Sequence, residues 1–282
     1  MSPRQSALQC RRGRRGGVGP RAGNLYPIVQ FELWQQPRLV AGISLILLAF
    51  PWGRQLAARA AATEHEEYAM KVALLGATGF VGSALLKEAL DRGHVVTAIV
   101  PDPEKLEKRE GLTAKAGDVY DTVSLATLIR GNEAIISAFN PGWKNPNLYD
   151  DQVRGTASII AAIKKAGIKR VLWVGGAGGL EVTPGVRLID SPDMPLWVKP
   201  GSLATINALD QLRQEPELEW SYLSPSAELK PGQRTGQFRL GNDQLLVDAT
   251  GQSRISVQDY AVAMIDELER PTRVRQRFTV GY

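Results

Sequence analysis

Three glycines at fixed spacing carry the clearest chemical signal in this chain. They stand in Lys71-Val72-Ala73-Leu74-Leu75-Gly76-Ala77-Thr78-Gly79-Phe80-Val81-Gly82. Val72 to Leu75 read as a buried parallel strand, and an amphipathic run (Val81, Leu85, Leu86, Ala89, Leu90) reads as the helix that follows. Strand, glycine-rich turn and helix together make a seat for a pyrophosphate. Gly76 permits the sharp turn, Gly79 lets a phosphate approach the backbone, and Gly82 lets the helix lie close on the strand. The helix start adds unpaired N–H groups and a partial positive charge.

The remaining candidates follow later strands. Asp102 stands twenty residues beyond Gly82, where an acid binds ribose hydroxyls and favours NAD. Lys105 beside it is placed instead to meet a 2′-phosphate. The competing reading is a solvated turn, with Pro101 and Pro103 ending the strand. Asp118 and Val119 follow the third strand, where a carboxylate can accept a hydrogen bond from adenine; Asp121 is expected to cap the next helix. Ala138, Phe139, Asn140 and Trp143 follow the fourth strand. The small residues there allow close passage of a cofactor, and Asn140 and Trp143 face a nicotinamide or planar substrate unless Trp143 only covers a loop. Gly175-Gly176-Ala177-Gly178-Gly179 implies backbone under close approach by cofactor or substrate. Residues 180–201, with Trp197 and Lys199, read as a substrate-side loop or short helix.

Positioning these residues requires alternating elements. Strands are expected near 71–75, 94–100, 113–116, 133–138, 169–175, 219–224 and 275–280. Helices are expected near 80–92, 122–130, 147–166, 202–213 and 256–269. That alternation implies an α/β, Rossmann-type doubly wound parallel sheet, a single domain over 70–282 with a small C-terminal substrate-side region. The ligand crevice belongs at the carboxyl ends of the strands.

Charge separates the chain into two parts. Residues 1–69 hold nine arginines, no lysine and four glutamates, which accounts for the whole formal charge of +5. From Met70 onward the charges balance, so this part has no electrostatic footprint for nucleic acid. The first part contains arginines among glycines and one apolar run, Leu39 to Phe50, which at twelve residues is too short for an integral span. It reads as a signal-peptide core, as upstream sequence before a true start at Met70, or as a tethering segment. Localisation is accordingly cytoplasmic if Met70 is the start, and exported if the signal operates. The single cysteine, Cys10, lies in this part, which excludes a disulfide framework or thiol site after Met70. With only His65 and His94, and His94 expected to be solvated in a turn, no metal site is expected.

From Met70 to Tyr282 the chain resembles the short-chain dehydrogenase/reductase superfamily in its atypical, NmrA-like branch. Within it the chain is similar to the candidate NAD(P)H-flavin reductases related to biliverdin reductase B. The matching pieces are Gly76 to Gly82, Gly117-Asp118-Val119, Ser137-Ala138-Phe139-Asn140, Val174-Gly175-Gly176-Ala177-Gly178, Leu223-Ser224-Pro225, and Ile255 to Ala261. The resemblance implies that Thr78, Gly79, Phe80 and Val81 touch the pyrophosphate and that Asp118 and Val119 flank adenine. It places Ala138 and Phe139 by the ribose and nicotinamide, has Gly175 and Pro225 border the nicotinamide, and makes Asp259 an anchor of the last helix. The chain departs from the superfamily's Tyr-x-x-x-Lys signature: the helix reads Leu203 to Asp210 without such a pair, and Pro195 stands four residues before Lys199. An arginine typical of NADP-preferring relatives is replaced by Pro101, which leaves NAD against NADP open.

The expected function is NAD(P)H-dependent reduction of a small planar acceptor, such as a flavin walled by Phe139, Trp143 and Trp197. Such a transfer needs little acid catalysis. The alternative is an NAD(P)-binding sensor or scaffold without turnover. An isomerase or epimerase ranks below both, because no Tyr-Lys pair is present to take an alcohol proton. The oligomeric state is left open.

Overall fold

A computed structural model describes residues 69–192 and 194–282; the expectations for the leader lie outside the described residues. The apolar runs form the centre. β1 (Lys71–Leu75), β4 (Ala134–Ser137) and β5 (Arg170–Val174) are almost wholly buried. Continuous apolar strands of this kind need cover on both faces, and the helices supply it. α1 (Phe80–Asp91) and α5 (Val257–Glu269) lie on one face, where Val72, Leu74 and Ile136 meet Leu85, Ala89, Tyr260 and Met264. α2 (Thr122–Ile129), α3 (Leu148–Ala166) and α4 (Lys199–Arg213) cover the other, where Ala73, Leu75 and Ile135 meet Leu125, Ile159 and Leu209.

The sheet has eight strands in the order β10-β12-β8-β5-β4-β1-β2-β3, with β2 (Val95–Val100), β3 (Leu112–Ala116), β8 (Glu219–Ser224), β10 (Arg239–Gly241) and β12 (Gln276–Gly281). Seven strands are parallel, and β10 runs antiparallel on β12 at the edge. The order reverses between β1 and β4, which opens the crevice at their carboxyl ends.

Five short strands were not expected from the sequence. β6 (Glu181–Thr183) and β7 (Val186–Arg187) form a hairpin. Thr183-Pro184-Gly185-Val186 is its turn, with Gly185 at φ +79 as a proline-glycine turn requires. β9 (Glu228–Lys230) pairs with β11 (Arg254–Ser256), and β10 completes the set. α4 begins at Lys199, three residues before its expected start, because Pro200 fits the first helical turn.

His94 corrects the sequence reading: it is buried, not solvated. Gly93, at φ +82, turns the chain so that the ring faces inward. Nδ1 accepts the Met70 N–H at 3.2 Å, and Nε2 lies 3.2 Å from Glu269 Oε1 at the end of α5. The residue therefore ties β1 and α5 to the start of β2.

Two polar clusters fasten α5. Arg170 and Glu267 form a buried ion pair at 2.9 Å, and Glu267 also accepts from Ser221, Thr272 and the Arg273 N–H. Asp259 is buried near the start of α5. It accepts from the Thr235 and Gly236 N–H groups, the Thr235 hydroxyl and the Tyr282 hydroxyl. It therefore binds the 231–238 segment and the last residue to the helix.

Glu267→Leu leaves the Arg170 guanidinium buried without a counter-charge and is expected to cost about 3–5 kcal/mol in urea unfolding. Burial alone raises the Asp259 carboxyl, but its hydrogen bonds outweigh that and hold it below the usual carboxylate range. A depressed folded pKa means a contribution fully present above about pH 4 and lost as pH falls through the folded value. The melting-temperature gap between wild type and Asp259→Asn is therefore expected to narrow on acidification below pH 4; a gap independent of pH would refute this.

Candidate functional site

The glycine turn after β1 is built from backbone contacts. Gly76 has φ +79, and a Cβ there would lie 2.5 Å from the Ala138 carbonyl oxygen. A Cβ on Gly82 would lie 1.9 Å from the Gly76 carbonyl oxygen. The third glycine thus admits the first turn of α1 onto the glycine turn itself, one step closer than onto the strand. Gly79 is different: its Cβ would meet only the Gly76 carbonyl oxygen, at 3.3 Å. As N-cap of α1 it has no side chain to offer, and no side-chain bond caps the helix. α3 and α4 also start without a side-chain cap, whereas α2 and α5 have one. Asp121 accepts from the Val123 and Ser124 N–H groups, as expected of a cap, and Ser256 accepts from the Asp259 N–H. Thr78, Gly79 and Phe80 are exposed, with Val81 half-buried. The turn fits a pyrophosphate: Gly79 keeps a Cβ off its open side, at a helix start that bears no side-chain cap.

At the end of β2, Asp102 caps a short 3-10 turn by accepting the Glu104 N–H at 3.2 Å, and Lys105 Nζ lies 3.6 Å from its other oxygen. Both residues are exposed. After β3, Asp118 accepts the Tyr120 N–H at 2.9 Å and shapes the turn that carries Val119. After β4, Ala138 lies against Gly76. The Phe139 ring turns away from a wall position: it packs on Gly155 of α3, where a Cβ would lie 2.3 Å from Cε1, and on Tyr120. The Phe139 ring thus serves packing against α3. Asn140 is exposed, and its side chain accepts the Gly142 N–H at 2.8 Å.

Trp143 and Trp197 come together from the segments after β4 and β5. Their rings meet edge to face at 6.2 Å, and they remain 54% and 73% exposed. Gly201 in the first turn of α4 makes room, since a Cβ would lie 2.6 Å from the Trp143 ring.

The glycine cluster after β5 is packed against neighbouring side chains. A Cβ on Gly175 would lie 2.2 Å from the Tyr222 ring, one on Gly176 2.5 Å from Thr205 Oγ1, and one on Gly178 2.7 Å from Ser202 Cβ. Gly179 faces Ile206 and Arg277. Each of these glycines makes room for one of the protein's own side chains. Pro225, at the end of β8, is buried. The nearby phenols are also committed. Tyr222 donates to the Thr205 carbonyl and Tyr260 to the Leu223 carbonyl, each at 2.7 Å, and burial pushes both phenols well above their ordinary range. Neither is placed to give a proton to a substrate.

A family model described as NAD(P)H-binding matches residues 76–268. The chain belongs to the NAD(P)H-binding family. YwnB of Bacillus subtilis, itself uncharacterized, is 37% identical over 214 residues, which is 75% of this chain and 98% of that protein. The solved structure of a candidate epimerase from Bacteroides thetaiotaomicron is 48% identical, with TM-score 0.71, covering 76% of this chain and 97% of that one. That of a candidate NADH-flavin reductase from Streptococcus pneumoniae is 32% identical, with TM-score 0.66, covering 75% and 99%. Membership in the NAD(P)H-binding family agrees with the glycine turn at the switch point.

The three glycines separate fold from binding. Gly82→Ala forces backbone against backbone and is expected to lower the melting temperature severely. Gly79→Ala is expected to leave melting within about 4 °C of wild type, roughly a 1 kcal/mol change, yet to weaken NADH or NADPH binding at least about tenfold by obstructing close approach. Equal affinity of Gly79→Ala and wild type by nicotinamide fluorescence would remove the turn from the site.

Proposed function

We propose that this protein is an NAD(P)H-dependent reductase of a planar, flavin-like acceptor. The observation that carries the reading is the exposed Trp143–Trp197 pair, brought together from the segments that follow β4 and β5. The nicotinamide cofactor, when bound, supplies a hydride. The uncapped start of α1 binds the pyrophosphate, and Asp102 or Lys105 meets the adenosine ribose. Ala138 to Asn140 orient the nicotinamide half through their backbone. The two indoles offer apolar edges and faces to a flat ring and remove it from water. A flavin-like acceptor takes a hydride and draws its proton from water, so it needs no proton from the protein. That suits a site whose phenols are locked onto backbone carbonyls. An epimerase that oxidised an alcohol would need a positioned base, and α4 supplies no tyrosine-lysine pair.

The test is a titration of the protein with NADH and NADPH, followed by flavin in the same cuvette. Rapid loss of nicotinamide fluorescence on flavin addition is the expected result. Trp143→Ala and Trp197→Ala are expected to raise KM for flavin roughly three- to tenfold each, on the scale of one aromatic contact, with the cofactor Kd unchanged. Asp102→Ala is expected to weaken NADH, and Lys105→Ala NADPH, whichever the wild type prefers. Tight cofactor binding with a signal that survives flavins and quinones would overturn the reductase reading in favour of a non-turning sensor.

A further inference from the structure

β3 and β4 are not neighbours in the sheet: β1 and β2 lie between them. At about 4.8 Å per step, their carboxyl ends are roughly 14 Å apart. The turn after β3 nevertheless touches the segment after β4. The rings of Tyr120 and Phe139 meet edge to face at 5.9 Å, with planes at 89°. The Arg154 guanidinium lies 4.2 Å from the Tyr120 ring centroid, and Arg154 is held by Asp151 at 3.0 Å. The Tyr120 hydroxyl donates to the Asp151 carbonyl at 3.3 Å.

The other half of the joint is equally committed. Phe139 sits on Gly155, where no side chain larger than hydrogen fits. The Phe139 carbonyl accepts from Gln152 Nε2 at 3.3 Å. Asp151 further accepts from Asn145 Nδ2 at 2.8 Å. The first two turns of α3 thus grip three segments: 118–121, 138–140 and 145–147.

We propose that Tyr120 is a positioning residue that locks the adenine-side turn to the nicotinamide-side segment, so that both halves of the dinucleotide meet one rigid seat. This rests on the dinucleotide reading of the crevice given above. Tyr120 acts through Phe139, not by touching the nicotinamide. Loss of its ring frees Ala138–Asn140, while Asp118 and the glycine turn keep their places. The cost then falls on the intact cofactor and spares a fragment that lacks the nicotinamide half.

Calorimetric Kd values for the tighter of NADH and NADPH, and for ADP or its 2′-phosphorylated form, provide the test. Tyr120→Ala is expected to weaken the full cofactor about tenfold, the scale of one aromatic edge contact plus one cation–π contact, and the fragment less than about twofold. Tyr120→Phe keeps ring and cation and is expected to stay within about twofold of wild type for both. Amide exchange at Ala138–Asn140 is expected to quicken in Tyr120→Ala and not in Tyr120→Phe. Should Tyr120→Ala fail to fold, Arg154→Met makes the same comparison from the exposed side, with a selective loss of about threefold expected. Equal losses of cofactor and fragment overturn the proposal, as does a Tyr120→Phe protein as impaired as Tyr120→Ala. If wild type binds neither NADH nor NADPH, the dinucleotide reading and this proposal fall together. If wild type binds and the losses are equal, only the proposal falls.

Discussion

The site depends on backbone meeting backbone at two points where no side chain can stand. Gly76 lies against the Ala138 carbonyl, and Gly82 lies against the Gly76 carbonyl. The first contact joins the ends of β1 and β4 across the switch point. The second fixes how deep α1 begins and where its N–H groups point. Neither contact is strong as an attraction. Each is a steric permission that any Cβ would revoke, and the apolar strands on both sides supply the force that holds it closed.

Much of this was legible in the sequence, and the reason is local. The buried strands are continuous apolar runs, and the helices between them have amphipathic periodicity, so the core elements are fixed by residues close in the chain. The glycine turn was legible for the same reason: strand, spacing and helix lie within twelve residues. What stayed hidden depends on distant partners. His94 looked like a turn residue because its neighbours are Arg92 and Gly93; the groups that bury it, Met70 and Glu269, come from the other ends of the domain. The hairpin β6–β7 had a local signal in Pro184-Gly185, but its strands are too short for a period to register.

The glycines after β5 teach a sharper lesson. A glycine says that a Cβ is excluded, not what excludes it. Gly76 and Gly82 are pressed by backbone, Gly175 by a tyrosine, Gly176 by a threonine and Gly155 by a phenylalanine. Only Gly79 is pressed by little within the protein while standing at an uncapped helix start. The residue with the weakest internal reason to be glycine is therefore the best candidate for an external one. The same logic applies to Phe139, whose ring fills the hollow over Gly155.

The chemistry open to such a site follows from what its polar groups are already doing. Tyr222 and Tyr260 donate to carbonyls inside the fold, Asp102 caps a turn, and Asp259 is consumed by four donors. A reaction that demands a protein-borne proton at the acceptor finds no tyrosine-lysine pair on α4. A reaction that needs only alignment of two flat rings would use the proposed dinucleotide seat and the two exposed indoles. On the reductase reading proposed above, transfer would be governed by proximity, since holding two partners in register removes much of the entropic barrier. The aromatic joint between Tyr120 and Phe139 belongs to the same economy of means. Where no group on the protein shares in bond making, precision in the seat is the protein's main remaining lever on rate.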